Sequence, residues 1–158
     1  MEQITLNKQL TLTFPDGFRK LDANEVKALS SAGSENAEAL KNEEAHLMVS
    51  MGFKKAGGLA GLLLKEADMV KAAEKGIAKA SAPFGYKLAG FGERTVGGKE
   101  AKSFRYTYTA QGVAMTGEGV VVKAGGFYYY LYLYAREALQ DAGFAAWQEI
   151  LDGARWAK

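Results

Sequence analysis

The chain of 158 residues is 48% hydrophobic and 24% charged, which suits one folded domain spanning residues 1–158 and excludes a disordered tail. Its 20 lysines and arginines against 18 acidic residues leave a formal charge of +2, too little for the concentrated basic surface of a nucleic-acid binder. With no cysteine, disulfides and thiolate chemistry are out of reach.

Ile4, Leu6, Leu10, Leu12 and Phe14 alternate with polar residues, and Asn7-Lys8 interrupts them, so Ile4 to Phe14 predicts a hairpin or a pair of short strands. Pro15-Asp16-Gly17 stops the run as a turn. Asp22 and Glu25 have the spacing of a capping box, opening a short helix whose inward side is Val26 and Leu29. Ser30 to Asn42 is polar and reads as a loop or frayed helix. Ala45 to Phe53 reads as a strand, with Leu47, Val49 and Met51 on one face and His46 and Met48 on the other.

The glycines between Lys54 and Gly61 weaken any helix there, so that stretch reads as a mobile connection. From Leu63 to Ala80 the period becomes helical, with Leu63, Ala67, Val70, Ala73, Ile77 and Ala80 in one stripe and Lys65, Lys71, Glu74, Lys75 and Lys79 toward water. Pro83 supplies a stop. Four strands follow, at Tyr86–Val96, Ala101–Thr109, Val113–Lys123 and Phe127–Tyr134, separated by Gly97-Gly98, Gln111-Gly112 and Gly125-Gly126. They predict an antiparallel meander. Glu137 to Ala154 closes the chain with an amphipathic helix centred on Leu139, Ala142, Ala146 and Ile150 and widened by Phe144, Trp147 and Leu151.

In the last strand Phe127, Tyr129, Leu131 and Leu133 point one way and Tyr128, Tyr130, Tyr132 and Tyr134 the other. Apolar residues on both faces imply a central strand covered on both sides, here by the two long helices. Phenol hydroxyls still need a partner or water, so Tyr106, Tyr108, Tyr128 and Tyr130 are the aromatics that would line a groove if one exists.

Catalytic constellations are hard to assemble. The single histidine, His46, stands beside Glu43 and Glu44 and could act as a base or help bind a metal, but an ordinary strand residue is the favoured reading, and Glu93-Arg94 and Glu118 read as isolated structural or surface charges. Gly57 to Lys65 is a poor phosphate loop, because Lys65 follows Leu64 and precedes Glu66 rather than joining Gly to Ser or Thr. No cofactor is expected. The lysines, glycines and amphipathic pattern of Lys54–Lys79 could touch an anionic membrane, but Glu66, Asp68 and Glu74 dilute its positive face and internal packing is favoured. Within it, Lys54, Lys55, Gly57, Gly58, Leu59 and Gly61 are the residues placed for contact with a protein partner.

Three stretches together, ITLNKQLTLTFPDGFRKLDANEV, AKSFRYTYTAQGVAMTGEGVVVKAGGFYYYLYLYAREA and FAAWQEILDGARW, resemble the Mog1/PsbP-like superfamily, including small bacterial DcrB-related and DUF1795 proteins. Phe14-Pro15-Asp16-Gly17, the strand Phe127–Tyr134, and Ile150-Leu151 with Trp156 stand where that superfamily has its proline turn, tyrosine-rich strand and hydrophobic cap. The resemblance implies an α+β fold, an α/β/α sandwich around a central, mainly antiparallel sheet. It implies no enzyme activity, and relatives that contact other macromolecules: a photosystem subunit, a partner of a small nuclear GTPase, and secretion-effector chaperones.

The expected function is therefore a non-enzymatic protein-binding or adaptor domain. Two alternatives stay open, a small-molecule binder or hydrolase using a pocket beside the aromatic sheet, and a membrane-associated protein acting through Lys54–Lys79. The expected partner is another protein, with no nucleic acid and with room for a weak homodimer through an edge strand. The opening MEQITLNKQLTL lacks the marks of a signal peptide, so a cytoplasmic location is expected unless a leader has been removed.

Overall fold

A computed structural model describes residues 2–29, 37–56 and 65–157. Its strands are β1 (Glu2–Leu6), β2 (Leu10–Phe14), β3 (Arg19–Lys20), β4 (Glu38–Asn42), β5 (Leu47–Lys55), β6 (Lys87–Val96), β7 (Lys99–Ala110), β8 (Val113–Ala124), β9 (Phe127–Arg136) and β10 (Arg155–Trp156). Its helices are α1 (Ala23–Leu29), α2 (Glu66–Ser81) and α3 (Gln140–Asp152).

The tyrosine strand β9 lies at the middle of a seven-stranded sheet of order β3-β4-β5-β9-β8-β7-β6, antiparallel throughout. The meander is present as the sequence predicts, and β5, β4 and β3 extend it on the other side. Phe127, Tyr129, Leu131 and Leu133 face a core completed by Leu47, Val49 and Met51, by β1 and β2, and by Trp147, Ile150 and Leu151 of α3. Tyr128, Tyr130 and Tyr132 face Phe104, Tyr106 and Val121 and the α2 residues Met69, Val70, Ala73 and Ile77. Both faces of β9 are thus covered. Each fully buried Leu, Ile or Phe in these layers contributes roughly 1.5–3 kcal/mol.

The hairpin β1-β2 turns through Asn7 and Lys8, both at positive φ. It does not join the large sheet; with β10 it forms a separate three-stranded sheet. The capping box is present: the Glu25 amide donates to Asp22 Oδ1 at 2.8 Å, and the Asp22 amide to Glu25 Oε1 at 3.1 Å.

Four expectations are corrected. Glu38–Asn42 is a strand rather than loop or helix, because pairing with β3 and β5 and burial of Ala39 and Leu40 outweigh its polar composition. His46 is not in a strand; it holds a turn at φ 54° ahead of β5 and is exposed. In α3 the buried line is Gly143, Trp147, Ile150 and Leu151, while Leu139 precedes the helix and is exposed, as is Ala142. The helical stripe begins its described course at Glu66, with Val70 buried and Ala80 exposed. Leu63 and the side chain of Leu29 lie outside the described residues.

Candidate functional site

Of the groove aromatics, Tyr106 and Tyr128 are buried in the layer under α2, and Tyr108 and Tyr130 sit partly exposed at its margin. Tyr86, Tyr106 and Tyr108 stack in series, with ring centroids 5.5 and 5.9 Å apart, and Phe104 stacks on Tyr106 at 5.7 Å. Glycine makes this possible. A Cβ on Gly117 would lie 2.6 Å from the Tyr106 ring, and one on Gly119 would lie 2.4 Å from Phe104. The Tyr106 hydroxyl is buried without a hydrogen-bond partner. Tyr86 donates to Glu74 Oε2 at 2.6 Å, tying the sheet edge to α2.

Burial raises the pKa values of this set and so holds the phenols neutral. Tyr108 is pushed up to about 12 by burial and by nearby Tyr134, and Tyr106, Tyr132, Tyr134 and Tyr130 are raised by burial. Tyr86 is raised by burial and by its bond to Glu74. A phenol whose folded pKa exceeds its unfolded value of 10.0 contributes stability that is complete below pH 10 and lost as pH rises through the folded value. Thermal melts are therefore expected to fall in midpoint between pH 10 and about 12, with phenolate absorbance delayed in the native protein. Tyr108→Phe should flatten part of that fall; an unchanged profile would show that Tyr108 ionises as if exposed.

The contact residues named from sequence are divided. Lys54 and Lys55 end β5 opposite Tyr128 and Phe127, with exposed side chains. Gly57, Gly58, Leu59 and Gly61 lie outside the described residues.

A second constellation joins charges that the sequence shows only singly. Glu118 of β8 is 1% exposed and is not an isolated charge. Its Oε1 accepts from Arg94 Nε at 2.9 Å and from Trp147 Nε1 at 2.7 Å, and its Oε2 accepts from Arg105 Nε at 2.9 Å. Arg94 also bonds Gln148 of α3. Arg105, directly opposite Glu118 on β7, lays its guanidinium over the Phe144 ring at 4.1 Å. The carboxylate therefore fastens β6, β7 and α3 together. Alternation alone puts Glu118 on the face of Val120 and Val122, and a carboxylate on a core face demands partners; that was the available sign.

Outward of this cluster α3 no longer covers the sheet. An open cleft of about 380 Å³ lies there, lined by Ala89, Gly90, Phe91, Gly92, Glu93, Arg94, Ser103, Arg105 and Glu118. Among the described residues no group of three or more His, Asp or Glu is placed to hold a metal ion, and no helix is long and apolar enough to cross a membrane.

An antiparallel sheet with α2 on one face, and α3 with the N-terminal hairpin on the other, is the Mog1/PsbP-like fold, an α+β architecture. The chain is similar to the solution structure of cyanobacterial PsbP from Synechocystis sp. PCC 6803, with TM-score 0.71 and 13% identity over 99% of this chain and 92% of that one. It is also similar to the Ran-binding protein Mog1p of Saccharomyces cerevisiae, with TM-score 0.60 and 10% identity over 98% and 94% of the two chains. LpqN of Mycobacterium tuberculosis, involved in cell envelope biogenesis, gives TM-score 0.56 and 18% identity over 94% and 83%. At these identities the likeness is one of fold. No family model and no curated protein matches the sequence.

Proposed function

We propose that this chain is a non-enzymatic protein-binding domain, with an adaptor role as its narrower form. The observation that carries the reading is the edge strand β6. It is last in the large sheet, has no strand on its outer side among the described residues, and is exposed over nearly its whole length. Phe84, just ahead of it, and Leu88 and Phe91, on it, are large apolar residues left in water. An exposed edge flanked by apolar side chains is a surface on which another chain can continue the sheet. The naming of yeast Mog1p as a Ran-binding protein supports protein contact for a domain of this shape.

Affinity capture with the wild-type domain and with Phe91→Glu tests it. Phe91 is 48% exposed, so the charge should leave the fold intact. One polypeptide recovered in stoichiometric amount by wild type is expected to bind Phe91→Glu about tenfold less, the effect of losing one apolar anchor. Equal recovery by both would remove β6 from the reading. Turnover of an ester or phosphate substrate, lost on substitution in the cleft, would overturn the non-enzymatic assignment.

A further inference from the structure

We infer that the cleft beside β6 is a carboxylate pocket, and that the segment docking on this edge is an extended peptide of a partner protein presenting an aspartate or glutamate. This rests on the protein-binding reading above and names the chemistry of the partner. Three observations carry it.

The first is an unused hydrogen-bonding group. Ser103 lines the cleft and is 4% exposed, yet its hydroxyl has no hydrogen-bond partner among the described residues. It lies opposite Gly92, and a Cβ on Gly92 would stand 3.4 Å from Ser103 Oγ. Glycine there leaves the hydroxyl open to an incoming group, whereas any larger residue would roof it.

The second is the charge. Both oxygens of Glu118 are occupied by Arg94, Arg105 and Trp147, and Glu93 at the rim is ion-paired with Lys102. Three cations against two carboxylates leave one positive charge in and around the cleft. It resides on Arg105, which is 48% exposed and spends only Nε on Glu118. Its two terminal nitrogens remain, on a guanidinium held flat by Phe144. A planar, pre-oriented arginine fork is suited to a carboxylate and discriminates against a neutral amide.

The third is the geometry of the edge. Gly90 and Gly92 share a face of the sheet with Arg105 and Ser103, their opposites on β7. A strand added outside β6 would point alternate side chains onto that same face. One of them would lie over the bare glycines, toward the hydroxyl and the guanidinium. The intervening side chains would meet Leu88 and Phe91 on the other face.

The test is an NMR titration of the full chain with a short blocked peptide of alternating valine and threonine carrying one central aspartate, beside its asparagine counterpart and acetate alone. The aspartate peptide is expected to move the Arg105 Nε–H and the Gly92 and Ser103 amide resonances, to bind about tenfold tighter than the asparagine peptide, and to weaken with added salt. Gly92→Val, at an exposed edge position without positive φ, should keep the spectrum of a folded domain and lose that preference. Equal binding of the asparagine peptide would overturn the carboxylate pocket while leaving edge docking in place. Shifts reproduced by acetate, with no gain from the peptide, would overturn the peptide as occupant. No shift from any probe would overturn both, and the capture experiment with Phe91→Glu would then decide separately whether the domain binds protein at all.

Discussion

Replacing Glu118 by alanine is expected to lower the free energy of unfolding by about 3–5 kcal/mol, because it removes the sole anion from a buried charged cluster. Arg94 would keep its positive charge with a side chain only 13% exposed, and Trp147, fully buried, would lose the acceptor for its indole N–H. The contribution of Arg105 is smaller, since its side chain is 48% exposed and water can replace the carboxylate there. The loss measures the cost of stranding Arg94 and Trp147, and it is larger than the net value of the cluster. An apolar replacement of both partners, Glu118→Met with Arg94→Leu, should therefore recover much of it. Urea titrations of wild type, Glu118→Ala and the double variant, with unchanged denaturant slopes, would separate the two terms. A loss under about 1 kcal/mol for Glu118→Ala would mean that water already reaches the cluster.

The second large effect belongs to the opposite face of the same strand. Gly119→Val is expected to cost about 3 kcal/mol, at the upper end of what overpacking a core produces. The new Cβ would stand 2.4 Å from Phe104 Cε1 and 3.1 Å from Tyr132 Cε1, and the two methyl groups lie beyond it. Phe104 cannot swing aside freely: it is fully buried, stacked on Tyr106 at 5.7 Å, and packed with Val70 of α2. Trimming that ring should relieve the strain, so Gly119→Val should cost far less in a Phe104→Ala background. If Gly119→Val melts like wild type, the rings are not fixed in the places described.

These two neighbours show what could be read in advance. Alternation along Phe127–Tyr134 announced a doubly covered strand, and the Gly-Gly pairs announced the turns around it, because both are local properties of the chain. The capping box at Asp22 and Glu25 is equally local. Glu118 was missed because its partners come from three other elements, 24, 13 and 29 residues away in sequence. Arg105 stands between Ser103 and Thr107 on one face of β7, a polar run with no local sign of the buried carboxylate opposite it. The strand Glu38–Asn42 escaped because EALKN carries only two apolar residues, and they are adjacent; pairing on both sides makes it a strand. In α3 the alanines suggested a stripe, but the volume of Trp147 decided which side turns inward. The edge strand β6 reads from sequence as a strand, while its place at the edge depends on the order of the whole sheet.

The small sheet has a consequence for how the molecule is assembled over time. Every neighbour in the run β6-β7-β8-β9 is also a neighbour in sequence, so that part can zip from one turn to the next. Leu10 and Thr11, by contrast, pair with Trp156 and Arg155, and the Ala157 amide reaches back to the Gln9 carbonyl. On a ribosome, the first hairpin to emerge must wait with one edge unpaired and its apolar side uncovered until α3 and β10 have been made. The slow step of folding is then expected to be the meeting of the two ends, since closing the longest loop in the chain precedes the burial that rewards it.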